Sequence, residues 1–370
     1  MDITAALATE IGGPFTLERL TLDDPGPGEV LVEIAGVGLC HTDLAAKDGH
    51  LPFPLPGVFG HEGSGVVVAV GTGVTKVEPG DKVALSFNSC GKCTQCTANE
   101  PAYCQEFMAC NFGGARPDGT STLHRDGQAL GSEFFGQSSF ATHAIAHERN
   151  VVKVPGDAPL ELVGPLGCGV QTGAGAVLNS LDCRPGATLL VLGGGSVGLS
   201  AVLAGAVREL GRIIVVEPHA SRRDLALSLG ATDVIDPAAG PLPDQVRAID
   251  PEGADYVIDT TGIADVLQQA MLAAAHRAKV GIIGVPADPE AALSLNLIQA
   301  QVLGVRVMGI VEGDSDPDVF IPELLELYRA GRFPFDKLIT TMPFSQINEA
   351  VAAQHGGEAV KIVLIPGAQS

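Results

Sequence analysis

This chain of 370 residues has no long apolar run and no block of lysine and arginine. No stretch reaches the roughly 20 consecutive apolar residues that a membrane-spanning helix needs. The opening segment, MDITAALATEIGGPFTLERL, shows no basic part followed by an apolar part, as a secretory leader would. We therefore expect a cytoplasmic protein with no membrane partner.

Basic residues are scarce relative to acidic ones. The chain has 43 aspartate and glutamate residues against 22 lysine and arginine residues, for a formal net charge of −21. Such a charge repels nucleic-acid phosphate and anionic lipid. We therefore expect no nucleic-acid partner, and the acidity is most simply explained by a solvated surface.

Aromatic residues are also few, at 4% of the chain, and tryptophan is absent. Apolar and turn-forming residues are plentiful, because 46% of the chain is hydrophobic and it contains 47 glycines and 25 prolines. A chain of this length exceeds what one hydrophobic core usually serves. The composition therefore favours a loop-rich α/β protein of two domains.

Four of the eight cysteines lie close together in GDKVALSFNSCGKCTQCTANEPAYCQEF, residues 80–107. They are Cys90, Cys93, Cys96 and Cys104. A reducing cytoplasm disfavours disulfides, and the spacing C-x2-C-x2-C-x7-C lets four thiolates converge on one ion. Zinc takes four sulfur ligands in a closed tetrahedron, although an iron–sulfur cluster also uses four thiolates. We expect a zinc site with no open coordination position, and hence a structural role.

A second group of potential metal ligands is dispersed and mixes sulfur with imidazole. It comprises Cys40 in GVGLCHTDL, His61 in GVFGHEGSG and Cys168 in GPLGCGVQT, all among glycines that allow tight turns. Taken singly, each is more simply a buried cysteine or a structural histidine. Together they would leave the fourth position of a zinc ion open, which is typical of a catalytic site.

The segment from 186 to 218, GATLLVLGGGSVGLSAVLAGAVRELGRIIVVEP, predicts a dinucleotide-binding unit. Strands are expected over 188–192 and 212–216, with a helix over 197–210 between them. The first strand ends at a G-x-G-x-x-G made of Gly193, Gly195 and Gly198. These glycines let backbone N–H groups and the helix N-terminus approach a pyrophosphate.

The end of the second strand bears on the choice of dinucleotide. Glu217 can accept hydrogen bonds from the adenosine ribose hydroxyls and would repel a 2′-phosphate, which favours NAD over NADP. Arg222 and Arg223 follow closely, and an arginine here can serve a 2′-phosphate. The sequence therefore predicts NAD, with NADP as the alternative.

The remaining chain indicates how the domains are arranged. Four further strands, within 233–236, 254–262, 278–286 and 305–310, alternate with helical segments and predict a parallel sheet. The first 150 residues have short strands and frequent turns, which predicts a β-rich domain. The tail from about 312 has a helix, a turn, a helix and a closing strand, and is expected to return to the first domain.

The chain resembles the zinc-dependent medium-chain alcohol dehydrogenases, above all the bacterial aryl-alcohol branch. The resemblance covers essentially the whole chain and is carried by GLCHTDL, PLPGVFGHEGSGVV, SFNSCGKCTQC and GPLGCGVQTGAGAV. It implies a GroES-like catalytic domain over 1–169 and 312–370 and a doubly wound Rossmann domain over 170–311. It also implies two zinc ions per chain, the catalytic one on Cys40, His61 and Cys168.

The family reaction is the reversible oxidation of an alcohol to an aldehyde or ketone by hydride transfer to NAD⁺. Because a zinc-bound oxygen can have a pKa near 7, we expect the alcohol to react as its alkoxide. The resemblance makes Thr42 the proton acceptor, Asp43 the partner of His61, and Glu62 a carboxylate close behind the zinc. The horse-liver-type enzymes of the family place a histidine three residues after the relay hydroxyl, but here that residue is Ala45. The proton could instead leave through the ribose hydroxyls and water or through His50, although nothing in the sequence places His50 correctly.

The resemblance also assigns cofactor and substrate residues. The cofactor contacts that it adds to the three glycines and Glu217 are His41, Thr172, Ser196, Val197, Arg222 and Lys361. An exposed surface lysine is the plain alternative for Lys361. Phe87, Phe134 and Phe135, with the segment 309–313, would line an apolar slot. Aromatic residues gathered near these segments favour an aryl or allylic primary alcohol.

Several alternatives stay open on the sequence. Within the zinc enzymes the substrate could be a terpenoid, an aliphatic alcohol, a polyol or a formaldehyde–thiol adduct. A zinc-free Rossmann reductase and a non-enzymatic NAD-binding protein are the alternatives from other classes. The segment 111–133 is long and glycine-rich, and we expect an exposed loop that could shape access and subunit contact. We expect a homodimer or homotetramer.

Overall fold

The computed structural model describes residues 1–367, which form eighteen strands. In chain order they are β1 Asp2–Ala8, β2 Thr16–Leu22, β3 Glu29–Leu39, β4 Gly57–Val58, β5 Glu62–Val70, β6 Lys82–Leu85, β7 Leu123–Arg125, β8 Gln128–Ala129, β9 His143–His147, β10 Val151–Lys153, β11 Thr188–Leu192, β12 Arg212–Val216, β13 Asp233–Ile235, β14 Ala254–Asp259, β15 Ala274–Ile282, β16 Arg306–Gly309, β17 Ile339–Pro343 and β18 Lys361–Ile365.

Eleven α-helices lie between these strands in the same described part of the chain. They are α1 His41–Lys47, α2 Thr94–Thr97, α3 Phe107–Phe112, α4 Gly169–Gly175, α5 Ser196–Val207, α6 Ala220–Leu229, α7 Leu242–Ile249, α8 Ala264–Leu272, α9 Leu297–Leu303, α10 Pro317–Arg329 and α11 Ile347–His355. Short 3-10 turns include Phe134–Gly136, Gly164–Gly167 and Glu312–Asp314, and a π turn at Ala176–Ser180 continues α4. None of the helices described is long and apolar enough to cross a membrane.

The dinucleotide-type sheet has six parallel strands in the order β13-β12-β11-β14-β15-β16. This confirms the Rossmann fold predicted from the sequence, and β11 and β12 have the predicted bounds. Apolar side chains from the strands and from α7 and α8 form its core. Helix α5 ends at Val207 rather than at the predicted residue 210, and Glu209, with a φ of +56°, has already left the helical region.

Two sheets form the β-rich part, which has the predicted GroES-like class of fold. One has the order β4-β1-β2-β7-β8, and the other has the order β10-β6-β5-β3-β18-β17, with β9 also paired to β3. Strand β3 pairs antiparallel with β5 and with β18. The sequence missed strand β17, which pairs parallel with β18.

Two packing units are present, and we describe each separately. The first consists of Met1–Gly169, Asp316–Glu326 and residues 336–367, whereas the second consists of Val170–Ser315 and Leu327–Phe335. The limits that the sequence predicts for the catalytic domain, 1–169 with 312–370, and for the Rossmann domain, 170–311, stay a prediction.

The segment expected to be an exposed loop, 111–133, is more ordered than its composition indicated. It contains the hairpin of β7 and β8 and buries Ser121 and Thr122. Arg116 fixes its base, because Nε and Nη2 donate to the Glu29 carboxylate at 2.7 and 3.0 Å and Nη1 donates to Asp23 at 2.9 Å.

Candidate active site and metal centres

Strand register brings the first candidate ligands together. Cys40 follows the last residue of β3, His61 precedes the first residue of β5, and Gly38 of β3 pairs with Glu62 of β5. Two residues distant in sequence are thereby neighbours at one end of the sheet. A Cβ at Gly38 would lie 1.9 Å from Glu62 Oε2, so a side chain there would displace this carboxylate. The glycine therefore leaves room for the Glu62 carboxylate to lie across β3.

The third candidate ligand, Cys168, follows the turn Gly164–Gly167. Ser86 Oγ donates to the Gly167 carbonyl at 2.7 Å and fixes this turn against β6. A Cβ at Gly167 would lie 1.9 Å from the Leu85 carbonyl oxygen, so only glycine permits this approach. The turn delivers Cys168 to the end of the sheet that carries Cys40 and His61.

These residues form one cluster of potential ligands. The ligand atoms of Cys40, His61, Glu62 and Cys168 all lie within 4.8 Å of one another. His61 and Glu62 are completely buried, and Cys168 is nearly so. Sequence reasoning thus identified four residues that the fold does bring together.

The orientation of His61 is set by Asp43 in helix α1. His61 Nδ1 lies 2.8 Å from Asp43 Oδ1, and the backbone N–H groups of Gly60 and Cys40 each donate to this carboxylate at 3.0 Å. Nδ1 therefore carries the proton, and Nε2 presents its lone pair. Nε2 is buried and has no hydrogen-bond partner within the described chain. A buried nitrogen lone pair without a hydrogen bond is suited to binding a metal ion.

Charge in the cluster is balanced by an ion pair that the sequence did not predict. Lys361, the first residue of β18, is buried, and its Nζ lies 2.8 and 2.9 Å from the two oxygens of Glu62 and donates to the Leu39 carbonyl at 3.1 Å. The interpretation of Lys361 as an exposed basic residue is therefore wrong, while its predicted contact with a pyrophosphate stays a prediction. Glu62 also accepts from the Gly169 N–H at 3.3 Å.

The electrostatics of the cluster follow from this burial and pairing. A hydrogen bond from Cys168 and the charge of Lys361 hold the pKa of the Cys40 thiol well below its usual range despite burial. Burial raises the pKa of Glu62, although Lys361 opposes the effect. Burial alone would lower the pKa of Lys361, but the Glu62 carboxylate raises it, so the ammonium stays charged. The site thus favours a thiolate at Cys40.

The four clustered cysteines also converge. Their sulfur atoms all lie within 4.8 Å of one another, and the sulfurs of Cys90 and Cys96 are 4.0 Å apart. A tetrahedral ion with bonds of about 2.3 Å places its sulfurs about 3.8 Å apart, so the spacing fits a single zinc ion. It is tighter than an iron–sulfur cluster requires, because sulfide and several irons would lie between the thiolates.

Backbone amides support these thiolates. The N–H groups of Cys96 and Gln105 donate to Cys93 Sγ at 3.5 Å each, which helps lower the pKa of the Cys93 thiol to about 6. The N–H of Cys90 donates to Cys104 Sγ at 3.2 Å, but burial raises the pKa of that thiol to about 12. A metal ion would remove the proton of such a ligand.

Helix α1 carries the residues of the expected proton path. Thr42 Oγ1 lies 3.8 Å from Cys40 Sγ, so the hydroxyl is beside the candidate metal site. His41, the first residue of α1, is exposed. Ala45 is buried on the same helix, and His50 is exposed beyond its end.

The glycine turn has the form that the sequence predicts. Gly193 has a φ of +98°, which favours glycine, and a Cβ at Gly198 would lie 1.9 Å from the Gly193 carbonyl oxygen. Gly195 has no atom within 4 Å of its would-be Cβ, and Ser196 and Val197 begin α5 directly after it. This leaves backbone N–H groups accessible at the start of the helix.

Glu217 lies beside this turn and is buried. Its carboxylate accepts from the N–H groups of Gly194 and His219, each at 2.8 Å. Arg223 donates to the carbonyl oxygens of Glu217 and Pro218 at 2.7 and 2.8 Å and forms an ion pair with Asp236. Arg223 is thus engaged in holding the strand end. Arg222 is half-buried in the first turn of α6.

Thr172 lies in α4 and is buried against the turn Glu312–Asp314. Its hydroxyl donates to Glu312 Oε2 at 3.4 Å, and Gln171 Nε2 donates to the same oxygen at 3.1 Å. Glu312 is itself buried. The sequence predicts that the segment 309–313 lines the substrate slot, and within this segment Glu312 accepts hydrogen bonds from two residues of α4.

The three predicted pocket phenylalanines are buried in an aromatic network around His61. Nine of the 13 phenylalanines, all in the first unit, form this network with the imidazole: Phe15, Phe53, Phe59, Phe87, Phe107, Phe112, Phe134, Phe135 and Phe140. The role of Phe87, Phe134 and Phe135 in binding substrate stays a prediction.

Sequence reasoning also missed Gln137, which has no motif to reveal it. Its Nε2 donates to the carbonyls of His61 and Ser86 at 2.9 and 3.0 Å, and its Oε1 accepts from the Gly63 N–H at 3.1 Å and from Ser139 Oγ at 3.0 Å. One buried amide therefore links the strand of His61 to the turn after β6.

Family models and relatives agree with this architecture. The alcohol dehydrogenase GroES-like domain matches residues 26–156, and the zinc-binding dehydrogenase domain matches residues 196–329. The chain is 50% identical over 363 residues to geraniol dehydrogenase of Castellaniella defragrans, across 98% of this chain and 97% of that protein.

Solved structures superimpose over nearly the whole chain. An alcohol dehydrogenase zinc-binding domain protein from Burkholderia ambifaria is 45% identical, with a TM-score of 0.97 and 99% of both chains covered. Benzyl alcohol dehydrogenase from Acinetobacter calcoaceticus is 41% identical, with a TM-score of 0.96 and 99% of this chain and all of that chain covered. The fold and the two ligand clusters thus define a zinc-binding dehydrogenase. This chain belongs to the zinc-dependent medium-chain alcohol dehydrogenase family, as the sequence predicted.

Proposed function

We propose that this protein is an NAD-dependent zinc alcohol dehydrogenase that reversibly oxidises a primary aryl or allylic alcohol to its aldehyde. The observation that carries the proposal is the cluster of Cys40, His61 and Cys168, in which a buried imidazole nitrogen has no hydrogen-bond partner within residues 1–367. Two sulfurs and one imidazole would hold zinc with a position left for the substrate oxygen.

Each group around this cluster has a defined task in the proposal. When bound, zinc supplies a Lewis acid that lowers the pKa of the alcohol and polarises the carbonyl in the reverse direction. Asp43 fixes the His61 tautomer through the 2.8 Å contact. Within the cluster, Glu62 stays paired with Lys361 rather than serving as a permanent ligand.

The proposed proton acceptor is Thr42, whose hydroxyl lies beside Cys40. A hydroxyl here can receive the alcohol proton and donate its own to the next acceptor. Ala45 has no group to continue the path along α1, and His50 lies beyond the end of the helix. We therefore propose that the proton leaves by water and the cofactor ribose.

We propose NAD rather than NADP as the cofactor. The Glu217 carboxylate is buried and fixed by two backbone N–H groups, so a 2′-phosphate would meet a charge that cannot move away. Arg223 already contacts the strand end and Asp236, which makes it a poor phosphate ligand. His41, Thr172, Arg222, Lys361 and the glycine turn are the other proposed contacts.

A kinetic comparison tests the cofactor assignment. The kcat/KM with NAD⁺ should exceed that with NADP⁺ by at least about tenfold, since one desolvated repulsion between like charges costs about 1.4 kcal/mol or more. Glu217→Gln removes the negative charge and should reduce the preference in kcat/KM for NAD⁺ over NADP⁺. A wild-type enzyme that prefers NADP⁺ would contradict the assignment.

The substrate class is supported by the relatives and by the aromatic surroundings of His61. One relative is named for geraniol, an allylic terpenoid alcohol, and another for benzyl alcohol. In both, the carbinol carbon is next to an unsaturated carbon, which stabilises the aldehyde product. The terpenoid alternative therefore falls within the allylic class, and aliphatic alcohols, polyols and formaldehyde–thiol adducts are the other candidates.

A substrate panel with metal analysis tests the function as a whole. Benzyl and allylic alcohols should be oxidised with a higher kcat/KM than ethanol or a polyol. The active protein should contain two zinc ions per chain. Cys168→Ser should lose one zinc and at least about a hundredfold in kcat, because the site then lacks a thiolate ligand. Cys183→Ser is the matched control, since Cys183 is also buried but belongs to neither cluster, and this variant should keep both zinc ions and the wild-type kcat.

We also propose that a second copy of this chain covers the outer edge of the six-stranded sheet. Within the described chain, β16 pairs on one side only, with β15. Nearby in the sequence, Leu297, Ile298 and Val302 of α9 are 78%, 75% and 69% exposed. Light scattering should give a dimer or tetramer, and Ile298→Glu should dissociate it. Ile11→Glu, at a similarly exposed position of the first unit, should not.

A further inference from the structure

Phe135 is an unusual residue at the edge of the candidate catalytic centre. Its φ is +51° and its ψ is +35°, a left-handed conformation that is rare for a bulky side chain. Holding such a residue there costs about 1–3 kcal/mol, which persists only when the surroundings impose it. Strain of this kind concentrates at functional sites.

The ring of Phe135 lies face to face with the imidazole of His61. Their centroids are 4.4 Å apart and their planes differ by 24°. It is the only described ring in this parallel arrangement with His61, because Phe134 meets the imidazole edge-on, at 5.5 Å and 72°. The strained backbone thus places a flat apolar surface against one side of a candidate metal ligand.

The surroundings hold this strained conformation firmly. Buried Asn150 donates from Nδ2 to the Phe135 and Gly136 carbonyls, at 3.3 and 3.2 Å. Buried Ser138 Oγ donates to the Val58 carbonyl at 2.6 Å and accepts from the Phe134 N–H at 3.0 Å. The turn is therefore fastened on both sides of Phe135.

Three further rings enclose Phe135. Phe134, Phe112 and Phe107 contact it edge-on, with centroid distances of 5.2, 5.1 and 6.2 Å. The ring is 4% exposed. Because protein interiors are close-packed, it cannot swing away from His61 without moving its neighbours.

His61 needs a constraint of this kind. Its hydrogen bond to Asp43 fixes one ring atom, but a ring held at a single atom can still tilt about that contact. A parallel ring at van der Waals distance opposes the tilt and so fixes the direction of the Nε2 lone pair. Metal affinity is sensitive to such orientation, since loss of a hydrogen bond that orients a ligand typically reduces the affinity 10- to 100-fold.

We propose that Phe135 is a positioning residue for His61, whose strained backbone holds its ring against the imidazole and thereby fixes the direction in which Nε2 meets the metal. The inference rests on the proposed function, because it requires an ion on His61. It assigns the strained turn a task distinct from lining the substrate pocket.

The test measures zinc release to a chromophoric chelator from the whole, zinc-loaded protein. Phe135→Leu keeps an apolar side chain but removes the flat surface, and we expect one of the two zinc ions to leave at least tenfold faster. Phe112→Leu is the matched control, because Phe112 contacts Phe134 and Phe135 rather than His61. Both substitutions should lower thermal stability, because each removes a buried ring. Only Phe112→Leu should release zinc within twofold of the wild-type rate.

A spectroscopic measurement separates positioning from general loosening. Cobalt exchanged into the faster-releasing site should show a shifted d–d band in Phe135→Leu and an unchanged band in Phe112→Leu. If Phe135→Leu does not fold, Phe135→Met serves in its place with the same expectations. The inference would be overturned if the Phe135 and Phe112 variants had the same rate of zinc release and the same cobalt spectrum. A wild-type protein that binds no zinc through His61 would instead refute the proposed function on which it rests.

Discussion

The buried ion pair of Lys361 and Glu62 allows a quantitative test of how the site is held together. Lys361 is 2% exposed and Glu62 is fully buried, and Nζ lies within 2.9 Å of both carboxylate oxygens. Lys361→Met keeps most of the apolar stem and removes the ammonium. Glu62 would then retain only the Gly169 N–H, at 3.3 Å, among the hydrogen bonds described for it.

The magnitude follows from the asymmetry between breaking a buried pair and replacing it. Removing one partner leaves a buried charge uncompensated and should lower the free energy of unfolding by about 3–5 kcal/mol. Replacing both partners leaves no charge to desolvate, so the Glu62→Gln, Lys361→Met double variant should recover at least about 2 kcal/mol of that loss. The two substitutions should therefore be strongly non-additive.

Urea unfolding followed by far-ultraviolet circular dichroism is the suitable assay, since the chain contains no tryptophan to serve as a fluorescent probe. With a urea slope of about 3 kcal/mol per molar, the single variant should lose on the order of 1 M in midpoint. Additive losses in the double variant would refute the reasoning. A rise in KM for NAD⁺ that the second substitution does not rescue would support the proposed pyrophosphate contact of Lys361.

Three further predictions concern other parts of the molecule. Cys96→Ser should lower the melting temperature and the yield of folded protein before it alters substrate preference, because the closed site supports structure; loss of hydride transfer alone would contradict this. Thr42→Ala should reduce kcat at least about tenfold while His50→Ala changes it little, and equal losses would exclude Thr42 as the proton acceptor. Burial and the Glu29 carboxylate raise the pKa of Glu133 to about 7, so the folded state disfavours its ionisation. The contribution of Glu133 to the free energy of unfolding should therefore fall as pH rises from about 4.5 to 7, and Glu133→Gln should be the more stable form at pH 8 by up to about 3 kcal/mol. A difference between these two proteins that is the same at pH 5 and pH 8 would contradict that shift.

Local sequence patterns were sufficient to predict the first strands and the glycine turn of the Rossmann domain. The strand over 188–192, the glycine turn and the strand over 212–216 were predicted with correct bounds, because a buried parallel strand is a continuous apolar run and glycines mark the turn. Strand β17 was missed, since its residues, ITTMP, become a strand only by pairing with β18. The hairpin within 111–133 was also missed, since its short strands form only by pairing with each other and with β2.

The candidate ligands were predictable because cysteine and histidine are chemically distinctive, and four cysteines at short spacing limit the geometry. Nothing in the sequence around Lys361 indicated burial against Glu62, however, because β18 reaches β5 only through its shared neighbour β3. Gln137 and Phe135 carry no motif at all. Both lie in or next to the strained turn at 134–136, which Asn150 holds and which brings them into contact with His61.

The sequence by itself therefore determined the class of fold, the two sets of ligands and the family, because each of these is encoded in residue type and short-range spacing. The tertiary structure alone decided how the site is held: which buried charge balances Glu62, which ring packs on His61, and which amide links the strand to the turn. These choices depend on strand register and side-chain packing between segments far apart in the chain. Short-range periodicity carries no information about such distant contacts.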